Sequence, residues 1–133
     1  MMYARLKAYA ESNPPIRVGL VGAGAMGVGI AWQLGRTPGM ALTAVCDRDP
    51  TAARKAIAAY ASADSKGGNV PIYSDREFLS ADSKYDVLVE ATNSIGFASQ
   101  ACELAIRSGK HVVLMNAEVD LALGPWLHPL AVE

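Results

Sequence analysis

Gly22, Gly24 and Gly27 form the pattern Gly-x-Gly-x-x-Gly at the junction of two segments with different hydrophobic periodicity. Before the pattern, Ile16 to Val21 is a short apolar run with several β-branched residues, which predicts a strand buried on both faces. After it, apolar side chains recur every four residues from Met26 to Leu34, which predicts a helix. A chain that passes from a buried strand through a glycine turn directly into a helix indicates an α/β fold.

The same alternation of strand and helix continues along the chain. We predict further strands at 41–46, 70–73, 86–91 and 111–115, separated by helices at 51–61, 74–79 and 96–107. Strands that alternate with helices pair in parallel through right-handed crossovers, which place helices on both faces of the sheet. The expected fold is therefore a doubly wound Rossmann sheet of about five strands in the order 3-2-1-4-5. Pro71 favours an edge position for the third strand, and Thr51 is expected to cap the helix that follows the second.

The chain is expected to divide into an N-terminal extension, residues 1–15, and a dinucleotide-binding Rossmann domain, residues 16–133. In the predicted core, residues 117–133 have no packing partner, so we expect the chain to be truncated at its C-terminus and to lack its substrate domain. Large apolar side chains in this segment are then expected to be exposed and to drive self-association. These residues are Leu121, Leu123, Trp126 and Leu127. A homo-oligomer is the expected state.

The glycine turn has the chemical features of a pyrophosphate site. Gly22 permits a tight turn out of the strand, Gly24 lets the backbone approach a phosphate, and Gly27 lets the helix pack close to the strand. The first amides of the helix, those of Ala25 and Met26 among them, offer unpaired N–H groups to an anion. The alternative interpretation is a tight strand-to-helix turn with no ligand.

Asp47 and Arg48 follow the second predicted strand and bear on the identity of the nucleotide. Asp47 lies 20 residues after Gly27, where a carboxylate can accept hydrogen bonds from the adenosine ribose hydroxyls of NAD. Arg48 can pair with the 2′-phosphate of NADP or stack on adenine. The alternatives are a turn or helix-capping aspartate and a solvated arginine. The residues alone therefore leave NAD and NADP both open.

The ends of the fourth and fifth strands complete the edge at which ligands of such sheets bind. Thr92 to Ser94 can contact the cofactor or cap the next helix, and Glu90, within an apolar strand, is expected at the strand tip with a bond to backbone. Asn116 and Glu118 are expected to face the nicotinamide end and are the catalytic candidates. Glu118 can act as an acid or base, or it can be a solvated loop carboxylate.

Composition excludes several other classes of function. With 51% hydrophobic and 19% charged residues the chain can bury a core, and a net charge of −1 offers no basic field to nucleic acid or an anionic membrane. No apolar run approaches the roughly 20 residues of a membrane span. Cys46 and Cys102 are interpreted as reduced core thiols in a cytoplasmic protein. His111 and His128 have no ligand partner at suitable spacing, so no metal site is expected.

Two segments resemble a known family. Ile16 to Pro50 resembles the cofactor domain of homoserine-dehydrogenase-like oxidoreductases. Tyr85 to Pro125, which contains VEAT and MNAEVD, is similar to a bacterial subgroup described as SAF-domain-containing homoserine-dehydrogenase-like proteins. That subgroup includes reductoisomerase-like enzymes that convert 1-deoxy-xylulose 5-phosphate to methylerythritol 4-phosphate with NADPH.

The resemblance implies an NAD(P)-dependent oxidoreductase with a small-molecule substrate, and it favours NADP. The family's cofactor contacts then fall on the glycine turn and three strand ends. The residues concerned are Gly22, Gly24, Gly27, Asp47, Arg48, Ala91, Thr92 and Asn116. Homoserine dehydrogenases typically have a lysine directly after the asparagine, whereas Asn116 is followed here by Ala117. We expect this chain alone to bind a dinucleotide without turnover; the alternative function is a non-catalytic nucleotide-sensing or interaction domain.

Overall fold

The computed structural model describes residues 1–63 and 66–133. Helices and strands alternate from one end of these residues to the other. In chain order they are α1 (Met2–Ser12), β1 (Ile16–Val21), α2 (Ala25–Gly35), β2 (Met40–Cys46), α3 (Pro50–Ala61), β3 (Ile72–Tyr73), α4 (Asp75–Phe78), β4 (Val87–Glu90), α5 (Ile95–Arg107), β5 (His111–Leu114) and α6 (Ala117–Val132). A short 3-10 turn at Asp82–Lys84 precedes β4.

The strands of the described residues form one parallel sheet in the order β3-β2-β1-β4-β5, which confirms the predicted α/β fold and strand order. β1 is central: Val18 lies between Leu42 of β2 and Val87 of β4. β3 lies at the edge, where Ile72 pairs with Val45, so the edge position predicted from Pro71 is also confirmed. The chain reverses its direction of travel across the sheet between β1 and β4, which is where α/β sheets open a crevice.

Each face of the sheet carries its own apolar core. One core joins the sheet to α2 and α3, and Leu20 is fully buried in it. The other joins the sheet to α5 and α6, and Leu88 and Cys102 are fully buried there. Because side chains alternate between the faces of a strand, helices can pack on both sides of one sheet.

Asp49, rather than the predicted Thr51, is the N-cap of α3. The Asp49 carboxylate accepts a hydrogen bond of 2.9 Å from the Thr51 amide, and Pro50 occupies the first helical position. Proline suits that position because its missing N–H would have no helical partner there, so the helix begins two residues earlier than a cap at Thr51 would allow.

The expectation that residues 117–133 have no packing partner is wrong. They form α6, which packs against α5 and buries Val119 and Leu127. Leu123 is partly buried against the same core, so two of the four side chains expected to be exposed are covered. Leu121 remains 81% exposed and Trp126 44% exposed.

The N-terminal extension forms the helix α1, which buries none of its own side chains. The helix lies against the turn between α2 and β2. Its Leu6 carbonyl oxygen is so close to Gly39 that a Cβ placed there would lie 3.1 Å from it. None of the helices in the described part of the chain has both the length and the apolarity needed to cross a membrane.

Candidate functional site

A cleft of about 640 Å³ opens at the carboxyl ends of β1, β2, β4 and β5. Nine of the ten residues predicted to bind a cofactor line it, and Gly27 is the exception because it is buried beneath the turn. The predicted residues in the lining are Gly22, Gly24, Ala25, Met26, Asp47, Arg48, Ala91, Thr92 and Asn116. Glu118 lines the same cleft, so the sheet brings the sequence candidates together at one edge.

Two of the three motif glycines are required by close packing within the protein. Gly22 has a φ of 95°, and a Cβ there would lie 2.7 Å from the carbonyl oxygen of Ala91. A Cβ on Gly27 would overlap the Gly22 carbonyl oxygen. The Gly22–Gly27 contact holds the start of α2 against the end of β1.

Gly24 differs from these two glycines because nothing in the protein requires it. Its φ is −70°, which any residue adopts, and a Cβ there would meet no atom within 4 Å. It is the N-cap of α2 and provides no side-chain acceptor, so the first amides of that helix are left for solvent or a ligand. The empty space and the uncapped amides lie in the same part of the cleft.

The Asp47 carboxylate ties two loops of the cleft together. Its Oδ2 accepts a hydrogen bond of 2.8 Å from the Ala23 amide in the glycine turn, and its Oδ1 accepts one of 2.7 Å from the Asp49 amide. Each carboxylate oxygen can accept a second hydrogen bond, so these contacts leave capacity for a ribose hydroxyl. Asp47 therefore stabilises the turn, which was the alternative to ribose binding in the sequence analysis, and it also lines the cleft.

Arg48 is anchored by Asp75 at the adenosine end of the predicted site. Arg48 Nε donates to Asp75 Oδ2 at 3.0 Å, while 75% of the Arg48 side chain is exposed. The Cys46 thiol donates to Asp75 Oδ1 at 3.6 Å. Burial, reinforced by the Asp75 charge, raises the pKa of Cys46 to about 12, so the thiol stays neutral. Cys46 and Cys102 are both free and buried, as predicted.

A buried carboxylate organises the opposite end of the cleft. Glu90 is fully buried, and its Oε1 accepts hydrogen bonds from the Thr92 amide at 2.8 Å and the Thr92 hydroxyl at 2.6 Å. This confirms the expected bond to backbone at the strand tip. Its Oε2 has no partner among the described residues, and burial raises its pKa. A protonated Glu90 avoids the cost of an isolated buried charge.

Asn116 links the ends of β4 and β5. Its Nδ2 donates to the Thr92 carbonyl oxygen at 2.6 Å, and its Oδ1 accepts from the Glu118 amide at 3.0 Å as the N-cap of α6. Both functional groups of Asn116 thus have structural partners. The Glu118 side chain is exposed at the cleft rim and has no hydrogen-bond partner among residues 1–63 and 66–133.

Asp75 and Phe97 are among the lining residues of the cleft that sequence reasoning did not name as candidates. Asp75 follows the short strand β3, so the rule that ligands meet the carboxyl ends of strands would have found it. Phe97 lies in the first turn of α5, and an aromatic residue there carries no local signal of a site. No group of three or more potential metal ligands occurs among the described residues.

The profile of the family described as "Homoserine dehydrogenase, NAD binding domain" matches residues 22–131. The homoserine dehydrogenase of Methylobacillus glycogenes is 32% identical over 127 residues, which cover 87% of this chain and 28% of that protein. The crystal structure of a homoserine dehydrogenase from Thiobacillus denitrificans superposes with a TM-score of 0.71 at 23% identity, covering 89% of this chain and 27% of the other.

A further solved structure shares the fold. It is the 1-deoxy-D-xylulose 5-phosphate reductoisomerase from Zymomonas mobilis in complex with NADPH, with a TM-score of 0.60 at 18% identity over 89% of this chain and 36% of that one. The chain spans little more than a quarter of the length of the homoserine dehydrogenase it matches, 28%. Residues 22–131, which the family profile matches, include every lining residue of the cleft except Val21.

Proposed function

The chain belongs to the family of homoserine dehydrogenase NAD-binding domains, and from this premise we propose that its cleft binds the pyrophosphate of NAD(P) at the N-terminus of α2. The observation that carries the proposal is the open space at Gly24 beside an uncapped helix end. Gly22 and Gly27 are explained by packing, whereas a ligand that needs close backbone approach explains Gly24.

The proposed cofactor lies along the cleft with its adenosine at Asp47 and Arg48. Its nicotinamide then lies toward Thr92 and Asn116, whose hydrogen bond fixes the distance between the ends of β4 and β5. We propose NADP as the preferred dinucleotide, since the exposed Arg48 guanidinium offers a cation to a 2′-phosphate. Ala91 lines the cleft between the two ends, and its small side chain leaves room for the ligand.

We propose further that the whole protein is an oxidoreductase acting on a small molecule, in a cytoplasmic setting that suits its two free thiols. The nicotinamide, when bound, supplies hydride chemistry. This chain contributes Asn116 and Glu118 at the nicotinamide end, and Ala117 stands where homoserine dehydrogenases typically have a lysine. The substrate pocket needs groups that hold the acceptor carbon about 3–3.5 Å from the nicotinamide, so residues 1–133 alone should bind cofactor without turnover.

Calorimetric titration with NAD and NADP tests the binding proposal. Ala25→Glu places a carboxylate in the first turn of α2, where it suits the helix dipole but repels a pyrophosphate. We expect binding of both dinucleotides to weaken at least about tenfold, or about 1.4 kcal/mol. The matched control is Gln33→Glu, an exposed position at the other end of α2 and outside the cleft lining. An Ala25→Glu protein that binds as well as Gln33→Glu would contradict the proposed site.

Turnover is tested separately. Residues 1–133 are incubated with a reduced or oxidised nicotinamide cofactor and with homoserine or 1-deoxy-xylulose 5-phosphate as trial substrates, and absorbance of the reduced cofactor is followed. Steady consumption or formation of the reduced form by this chain alone would contradict the inference that the substrate-binding groups lie elsewhere in the whole protein.

A further inference from the structure

Glu90 carries the one buried carboxyl group among the described residues. It ends β4, and both of the hydrogen bonds that it accepts come from Thr92, two residues further along the chain. Burial of a carboxyl group costs free energy, and an apolar side chain of similar size would fill the same space at less cost. The carboxyl group at this position therefore needs a reason beyond packing.

Thr92 is held by the protein through each of its polar groups. Its amide and its hydroxyl both donate to Glu90 Oε1, at 2.8 and 2.6 Å, and its carbonyl oxygen accepts from Asn116 Nδ2 at 2.6 Å. The Thr92 hydroxyl oxygen also accepts from the Ser94 amide at 3.2 Å. A Cβ placed on Gly22 would lie 2.8 Å from the Thr92 amide nitrogen, so the same peptide packs against the glycine turn.

This arrangement decides which hydrogen-bonding groups Thr92 presents to the cleft that it lines. Its amide proton and its hydroxyl proton both point at Glu90, whereas its hydroxyl and carbonyl oxygens each keep one lone pair. Because Oε1 accepts both donors, the proton of a neutral Glu90 belongs on Oε2, and Oε1 is an acceptor in either protonation state. Glu90 thus leaves Thr92 with free acceptors and no free donor.

We propose that Glu90 is a positioning residue for the nicotinamide end of the cleft, where it acts through Thr92 to select a ligand group that donates N–H. The inference rests on the proposed dinucleotide site and deepens it. The carboxamide of nicotinamide donates N–H, and the two Thr92 oxygens are fixed in advance to accept from it. A carboxylate in the same place has no N–H to donate and would face these oxygens with its own negative charge.

Three ligands separate the nicotinamide end from the rest of the cleft, and each is titrated by calorimetry. They are NADP, 2′-phospho-ADP-ribose, which lacks the nicotinamide, and nicotinic acid adenine dinucleotide phosphate, in which a carboxylate replaces the carboxamide. The wild type is expected to bind NADP about tenfold more tightly than either analogue, because only NADP uses the Thr92 acceptors.

Substitution of Glu90 tests whether it is the source of this preference. Glu90→Met removes the acceptor and keeps the length of the side chain, so the preference for NADP should fall from about tenfold to less than about threefold, with affinity for 2′-phospho-ADP-ribose changed less than about twofold. Glu90→Gln keeps an acceptor oxygen and should retain the wild-type preference. The matched control is Glu77→Met, because Glu77 accepts the amide and hydroxyl of Ser74 in the same pattern, at 2.9 and 2.8 Å, and does not line the cleft.

Thr92→Val is the second test, and it decides the matter if Glu90→Met does not fold. It removes the hydroxyl from a half-buried side chain and leaves the backbone bonds of Thr92 in place, so the preference for NADP should fall about threefold. Where both single variants fold, their effects on the preference should not add in the double variant, since Glu90 acts through Thr92.

The outcomes separate this inference from the proposal beneath it. Loss of the preference in Glu90→Met, its retention in Glu90→Gln and no change in Glu77→Met support the positioning role. Equal weakening of all three ligands in Glu90→Met would show a structural role only and overturn the inference, as would an unchanged preference in Thr92→Val. A wild type that binds NADP and 2′-phospho-ADP-ribose equally overturns it as well and leaves the proposed function intact. If the wild type binds neither NAD nor NADP, the proposed function fails and this inference fails with it.

Discussion

Three glycines in or next to the first turns of α2 should respond to substitution in three different ways, and Gly27 gives the largest expected loss of stability. An alanine Cβ at Gly27 would overlap the Gly22 carbonyl oxygen and lie 2.9 Å from the carbonyl carbon. Ordinary contacts between carbon atoms are about 3.5–4.0 Å, so the backbone must separate by on the order of 1 Å. Gly22 cannot easily move, because its amide donates a hydrogen bond of 2.9 Å to the Cys46 carbonyl oxygen and its Cα packs closely against the backbone of Ala91.

The expected magnitude follows from two opposing terms. Overpacking against fixed backbone costs up to about 3 kcal/mol, and the better helix propensity of alanine returns about 1 kcal/mol. We therefore expect Gly27→Ala to lower the free energy of unfolding by about 2 kcal/mol. At a urea dependence of about 2 kcal/mol per molar, the denaturation midpoint should fall by about 1 M.

Gly24 and Gly29 provide matched controls in the same segment, since a Cβ at either position would meet nothing within 4 Å. Gly24→Val is expected to cost about 1 kcal/mol of stability or less, as a poorer N-cap, while weakening dinucleotide binding at least about tenfold. Gly29→Ala, on the exposed side of α2, should raise stability by about 0.5–1 kcal/mol and leave binding unchanged.

Urea denaturation followed by circular dichroism, together with calorimetric titration of NADP, measures both effects for each variant. If Gly27→Ala were as stable as the wild type, the close packing of α2 on β1 would not be what requires glycine there. If folded Gly24→Val bound NADP with unchanged affinity, the space above Gly24 would not be a phosphate site.

Three further results are expected. Glu90→Gln should keep the bonds to Thr92 and be at least as stable as the wild type at pH 8. In the wild type, the raised pKa of Glu90 makes the free energy of unfolding fall as pH rises from about 4.5 through the folded value, and Glu90→Gln should not show this fall. Glu90→Ala should lose about 2–3 kcal/mol of stability, and denaturation at several pH values distinguishes the two variants. The hydrogen bonds from Arg17 lower the pKa of Asp86, so this pair contributes stability that is present above about pH 4 and is lost as pH falls through the folded value. Asp86→Asn should therefore make the free energy of unfolding less dependent on pH in acid, and an unchanged dependence would count against this pair. Self-association should depend on the exposed Leu121 and not on the buried side of α6, so Leu121→Gln should shift sedimentation toward monomer. The sample should be at about 100 μM, a concentration at which micromolar contacts are populated, and a monomeric wild type there would contradict the expectation.

Local pattern was sufficient for most of the architecture. The strands β1 and β2 were predictable because each is a short apolar run. Such a run is stable as a strand that is buried on both faces, between two layers of helices. The glycine spacing predicted the turn into α2, and the alternation predicted parallel order. The packing of α6 was not predicted from the local pattern, and its full length is unexpected because Pro125 and Pro129 stand inside it. Both prolines lie four residues apart on the exposed face, so the carbonyl groups they leave unpaired can reach water and the helix continues.

The sequence by itself determined which residues would meet at the edge of the sheet, since the order of strands and the residue after each one are properties of the chain. Only the tertiary structure decided what those residues do there. It showed that Asp47 holds the glycine turn through Ala23, and that Asp75 anchors Arg48 from a strand end far along the chain. The physical reason is that a side chain with several hydrogen-bonding atoms takes its role from the partners within about 3 Å, and long-range packing selects those partners.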